Sequence, residues 1–137
     1  MTDKVQYWLD IADYDIETAD ALHQTGRWLY VGFMCHQVIE KTIKAYWSYV
    51  REDDPPYTHN QKRLAAGCGL YDQFSEEQKL FIDQITPLNI EARYPSYKEE
   101  ISKAMNASSS EYIIKQTKEL QQWIKEKLWS LQEDTSK

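Results

Sequence analysis

The stretch CHQVIEKTIKAYW, Cys35 to Trp47, places His36, Glu40 and Lys44 four residues apart in a run that is otherwise largely apolar. On a helix that spacing lines an imidazole, a carboxylate and an ammonium along one side, close enough to pair. A metal would need more. Structural zinc takes about four ligands and catalytic zinc about three, and this row supplies only one His and one carboxylate. No other part of the chain has ligand spacing, so neither a metal nor a cofactor is expected. The plainest reading is a His–Glu–Lys ladder at the edge of the core, each exposed pair contributing roughly a few tenths of a kcal/mol.

Nucleophilic catalysis finds no support in the residue pattern. Ser48 lacks the glycine-flanked elbow of a hydrolase, and Cys35 projects about 100° away from His36 around the helix. The chain has no phosphate-cradling Gly-rich loop and no dinucleotide fingerprint. The other unusual stretch is EARYPSY, Glu91 to Tyr97. Pro95 biases Tyr94 towards an extended backbone and so holds Arg93 at a boundary between helix and loop. The planar fork of Arg93 suits phosphate or carboxylate. Tyr94 and Tyr97 could stack on a base or pack inward. Against a ligand role stands a structural one, in which Arg93 pairs with Glu40 or another carboxylate and locks the loop to the bundle.

The elements that must position these groups are helical throughout. Val5, Trp8, Ala12, Ile16 and Ala19 recur at three or four residues, with Asp10, Asp13, Glu17 and Asp20 on the other side as a solvated acidic face. Gly26 ends this first helix. A second helix runs from about Trp28 to Val50, with a main stripe of Val31, Cys35, Val38, Thr42, Ala45 and Tyr49. Phe33 and Trp47 lie opposite, and a helix apolar on most of its circumference is central in a bundle. EDDPP, Glu52 to Pro56, breaks it. Thr58 with Gln61, Ser75 with Gln78, and Ser108 with Glu111 fit capping boxes that open three further helices. The first is short and ends near Gly67-Cys68-Gly69, the second is kinked or ended by Pro87, and the third is a long C-terminal helix. Residues 89–107 read as irregular. The expectation is an all-α, up-and-down four-helix bundle with an additional short helix. Residues 1–131 form the single domain and 132–137 a short polar tail.

Composition agrees with a packed domain: 42% of the 137 residues are hydrophobic, and ten Tyr and five Trp are many for this length. Cys35 and Cys68 have no CxxC spacing and read as free thiols in a reducing compartment. No stretch approaches the roughly 18 apolar residues of a membrane span, and Met1-Thr2-Asp3-Lys4 does not open a signal peptide. A cytoplasmic protein with no membrane partner is expected. A net charge of −6 argues against broad nucleic-acid binding through phosphates. The charge is uneven, however. Residues 1–26 carry one Lys against six acids, whereas residues 27–63 carry six Arg and Lys against four, which directs an anionic ligand to the middle segment.

Three pieces in order resemble the HEPN domain family over nearly the whole chain: ADALHQTGRWLYVGFMCHQVIEKTIKA, then YTHNQKRL after the proline break, then LNIEARYPSY before the last helix. The resemblance implies a helical up-and-down bundle, often a homodimer, and in many members a small nucleotidyltransferase partner, some of these pairs acting as toxin and antitoxin. HEPN ribonucleases carry an Arg followed four to six residues later by a His for acid–base chemistry. Arg93 has no such His, nor do Arg27, Arg51 and Arg63, and the nearest downstream imidazole is His59, eight after Arg51. A Tyr is a poor substitute, with an ordinary pKa of about 10.

The expected function is therefore a non-catalytic nucleotide- or RNA-phosphate-binding module. It would act as a homodimer, with a nucleotidyltransferase partner in a toxin–antitoxin-like pair. Its ligand-binding candidates are Arg93, Lys44, His36, Glu40, Tyr94, Tyr97 and His59, with no catalytic residue assigned. The alternatives are a divergent ribonuclease toxin without the Arg/His motif and a purely structural dimerisation module. Whether the His36–Glu40–Lys44 row faces Arg93 or solvent decides the site.

Overall fold

A computed structural model describes residues 2–89 and 95–136, the side chains of 95–98, 135 and 136 excepted. The described residues form six α-helices: α1 (Asp3–Gln24), α2 (Trp28–Val50), α3 (Gln61–Gly67), α4 (Glu76–Ile85), α5 (Pro95–Ala104) and α6 (Ala107–Ser136). Two single 3₁₀ turns, Tyr71–Gln73 and Thr86–Leu88, join them, and no strand occurs among the described residues. The expected all-α bundle is what forms. No helix among the described residues is long and apolar enough to cross a membrane.

Helices α1 and α2 make the most extensive pairing, and α2 also packs on α3, α4, α5 and α6. The sequence explains why α2 is the hub: from Cys35 to Trp47 every residue is buried except half-buried Lys41. The turn before it uses Gly26 at φ 74°, a left-handed conformation that costs a glycine little. On α1 the buried row is Val5, Leu9, Ala12, Ile16 and Ala19, and on α6 it includes Ile114, Leu120, Ile124 and Leu128.

Four local expectations are corrected. The short third helix is capped by Asn60, whose side chain accepts from the Arg63 amide, and not by Thr58. Thr58 instead accepts from the Asn60 amide at 3.2 Å and shapes the approach. Helix α6 opens with a reciprocal pair between Asn106 and Ser109, both bonds 2.9 Å, rather than with Ser108 and Glu111. The shorter Asx side chain reaches its own N3 amide, so the helix starts earlier. Residues 95–104, read as irregular, form α5, with Pro95 at its first position, where a missing N–H costs nothing. The acidic face of α1 is not simply solvated: Asp13 takes Lys125 at 2.6 Å and Gln121 at 3.0 Å from α6. Asp20 takes Lys118 at 2.9 Å. Only the Ser75–Gln78 capping box stands as expected.

Candidate functional site

Helix arithmetic puts His36, Glu40 and Lys44 on one side of α2, and the fold then buries all three, at 1%, 1% and 6% exposure. The row faces inward and not to solvent. What it faces is the chain that follows the proline break. His59 Nδ1 lies 2.8 Å from Glu40 Oε1, and two residues later Gln61 Nε2 donates to the His36 carbonyl at 2.8 Å. The register matches. Four helical residues rise about 6 Å and two extended residues span about 6.6 Å. Residues 59–61 therefore run alongside α2 and meet 40 and 36 in turn. Asn60 sits between them with an extended backbone (φ −80°, ψ 98°) and caps α3.

Glu40 Oε2 is held by Lys44 Nζ at 3.1 Å, with Lys41 Nζ 3.8 Å away, and His36 Nδ1 lies 3.9 Å from Oε1. Burial pushes the Glu40 carboxyl up. The hydrogen bond from His59, the charge and hydrogen bond of Lys44 and the charge of Lys41 together outweigh it and hold the group below its ordinary value. Glu40 is thus a buried carboxylate, the acceptor towards which the His59 Nδ1–H points. Lys44 also sits 5.3 Å from the centre of the Trp8 ring, so its ammonium is shared between a carboxylate and a π-face. From α1, Asp15 feels the same cluster: burial raises its pKa first, Lys41 lowers it and Glu40 raises it.

In front of this cluster is a cleft of about 550 Å³, lined by His36, Thr58, His59, Asn60, Lys62, Asp83, Thr86 and Asn89. The His59 side chain is 39% exposed, while the Glu40 carboxylate behind it is sealed. A carboxylate behind an imidazole fixes the ring's orientation, an arrangement suited to holding an anion or moving a proton. Among the described residues no group of three or more His, Cys, Asp and Glu side chains is placed to hold a metal.

A model of the HEPN domain matches residues 5–128. The chain belongs to the HEPN domain family. No curated protein matches it. Among solved structures, the crystal structure of TT1696 from Thermus thermophilus is similar, with a TM-score of 0.76 over 92% of this chain and 99% of that one. At 15% identity that likeness concerns the fold alone.

Within this HEPN domain the sequence-named residues separate into groups. His36, Glu40, Lys44 and His59 come together, Glu40 and Lys44 as a buried support, with His36, itself buried, and His59 lining the cleft. Arg93 and Tyr94 lie outside the described residues, as does the side chain of Tyr97, and with them the proposed Glu40–Arg93 pair. Asn89, the last described residue before Arg93 in the chain, lines the cleft. Sequence reasoning missed Gln61, Lys62, Asp15 and the Trp8–Lys44 contact. One signal for the first was available: His59 and Gln61 are spaced to match Glu40 and His36, given an extended segment.

Proposed function

We propose that this HEPN domain is a non-catalytic module that binds a nucleotide or RNA phosphate. It belongs to the branch without the ribonuclease Arg/His motif, acts as a homodimer, and serves with a nucleotidyltransferase in a toxin–antitoxin-like pair. The observation that supports the reading is His59, fixed on the sealed Glu40 carboxylate at 2.8 Å and fronting a 550 Å³ cleft. The Glu40 charge is already met by Lys44 and Lys41, so an incoming phosphate at His59 meets an imidazole with Lys62 in the same cleft, and Asp83 is the cleft carboxylate it must avoid. Lys44 acts from behind, holding Glu40 in its ionised form and place, and His36 lines the cleft beside His59. Arg93 is the candidate fork for the phosphate, and Tyr94 and Tyr97 the candidate π-faces. Titrating ATP, GTP and short RNA against Trp fluorescence and thermal unfolding should give saturable shifts. A ligand at 100 times its Kd adds about 2.7 kcal/mol, and the shift should vanish in His59→Ala and Arg93→Ala. No shift at millimolar ligand ends the proposal.

The same pair favours one second reading, a divergent ribonuclease in which a carboxylate-backed His59 moves the proton. Degradation of RNA that is lost in His59→Ala and Arg93→Ala yet survives His36→Ala would select it. RNA left intact after prolonged incubation would remove it.

A further inference from the structure

The loop that carries His59 has a second concavity at its other end. Asp54 and Pro55 line a pocket of about 620 Å³ together with Asp3, Lys4, Tyr7 and Trp8. Tyr7 and Trp8 meet edge to face at 5.2 Å, and Tyr7 keeps 57% of its surface exposed. Lys4 and Asp54 pair across the rim. In the chain between Pro55 and His59 comes Tyr57, 97% exposed, its ring centre 6.1 Å from that of His59 and tilted by 60°. His59 is four residue steps from Pro55, so at most about 14 Å of chain joins the two concavities. Tyr57 and His59 therefore lie within one short segment whose Pro55 end shares a pocket with Tyr7 and Trp8 of α1. Trp8 is held in place by the Lys44 ammonium, which links the pocket to the buried Glu40 cluster behind the cleft.

Neither concavity alone accounts for Tyr57. A side chain that loses almost no surface to the fold contributes nothing to the core, and its ring is presented to whatever crosses the loop. We propose that the surface from Tyr7 and Trp8 over Tyr57 to His59 is a stacking platform for a single-stranded oligonucleotide. One base enters the pocket, a neighbouring base lies on Tyr57 and a phosphate faces His59. The proposal rests on the nucleotide or RNA reading above and deepens it by naming a strand in place of a mononucleotide. The charges along the path are Lys4 and Lys62 against Asp3, Asp54 and Asp83. With cations so few, affinity comes from base–aromatic contact, which every base offers, and not from phosphate neutralisation.

The test uses the full chain and three probes: fluorescein-labelled octauridylate, octathymidylate and unlabelled UMP. Octauridylate should bind at least tenfold tighter than UMP, and octathymidylate within a few-fold of octauridylate, because stacking does not require the 2′-hydroxyl. Tyr57→Ala, at a side chain the fold does not need, and Tyr7→Phe with Tyr7→Ala should separate ring from hydroxyl. Each Ala variant should weaken the octamers about tenfold, while Tyr7→Phe, which keeps the ring, should retain octamer binding. The slope of log K against log salt should be no steeper than about −0.7, one phosphate's worth. Octamer affinity equal to that of UMP, or unaltered in Tyr57→Ala, overturns the platform and leaves the phosphate reading standing. A salt slope of several units also overturns it, and failure of all three probes overturns both.

Discussion

At Glu40 a carboxylate sealed from solvent is met by Lys44 and His59. Eleven residues further on, at the C-cap of the same helix, Arg51 donates to Asp53 at 2.7 and 2.9 Å and to the Gly67 carbonyl at 2.7 Å, in full view of solvent. Both contacts tie α2 to the chain that follows it, and both use an ion pair. Their physics differs. Glu40 has lost its water, so its partners must replace the whole of its hydration, and the set works only when complete. Arg51 and Asp53 keep their water, and their hydrogen bond shifts the pKa of each away from neutrality without sealing either. What is buried there is the Trp47 ring, with Arg51 stacked at 4.3 Å, Gly67 packed against it and its Nε1–H given to the Asp53 carbonyl at 3.0 Å. One tie is electrostatic and the other is packing that happens to carry charges.

The sharpest way to break the contrast is Lys44→Met. It leaves the buried Glu40 with His59 and the more distant Lys41, and should cost about 3 kcal/mol of stability in urea unfolding. Adding Glu40→Leu removes the stranded charge as well, so the double variant should recover most of that loss. The two changes are then strongly non-additive. Additive losses would mean that Glu40 is hydrated after all.

At the exposed tie the packing should dominate. A Cβ on Gly67 would fall 2.3 Å from the Trp47 ring, a rigid neighbour already covered by Arg51. Gly67→Ala is therefore expected to cost about 1–3 kcal/mol through overpacking. Asp53→Ala, which removes the ion pair and spares the ring, should lower the melting temperature far less than Gly67→Ala. Equal effects would place the ion pair, not the packing, in charge.

How much of this the sequence disclosed follows the same division. Helix α2 was legible because its apolar residues cover most of its circumference. The row His36, Glu40, Lys44 followed from spacing alone, since helix geometry is local. Helix α5 was not legible: PSYKEEISKA holds too few apolar residues for a clear stripe, and its one start signal, Pro95, also reads as a loop. The approach of His59 to Glu40 joins residues nineteen apart through a loop. Spacing cannot fix such a path, because Asn60 capping, the Gln61–His36 bond and the proline break set it jointly. The Asp13–Lys125 and Asp20–Lys118 ties hid for a similar reason: an acidic stripe looks the same whether it faces water or a helix a hundred residues later.

The smallest effect tests whether the Glu40 cluster reaches α1. Glu40 has a folded pKa below its ordinary value, so its contribution is complete above about pH 4.5. That contribution is lost as pH falls through the folded value. Asp15 runs the other way. Its folded pKa is raised, so the folded state favours the neutral acid; that contribution is present below about pH 3.8 and is lost as pH rises through the raised value. At neutral pH Asp15 is thus a partly desolvated charge beside Glu40, relieved in part by Lys41. Asp15→Asn should raise stability at pH 7 slightly, within about 0.5 kcal/mol. It should also steepen the net loss on acidification, because the opposing Asp15 contribution is gone and that of Glu40 remains. In Glu40→Gln the acid limb should flatten instead. If Asp15→Asn leaves the pH profile unmoved, the cluster ends at α2, and the charge on α1 plays no part in holding His59.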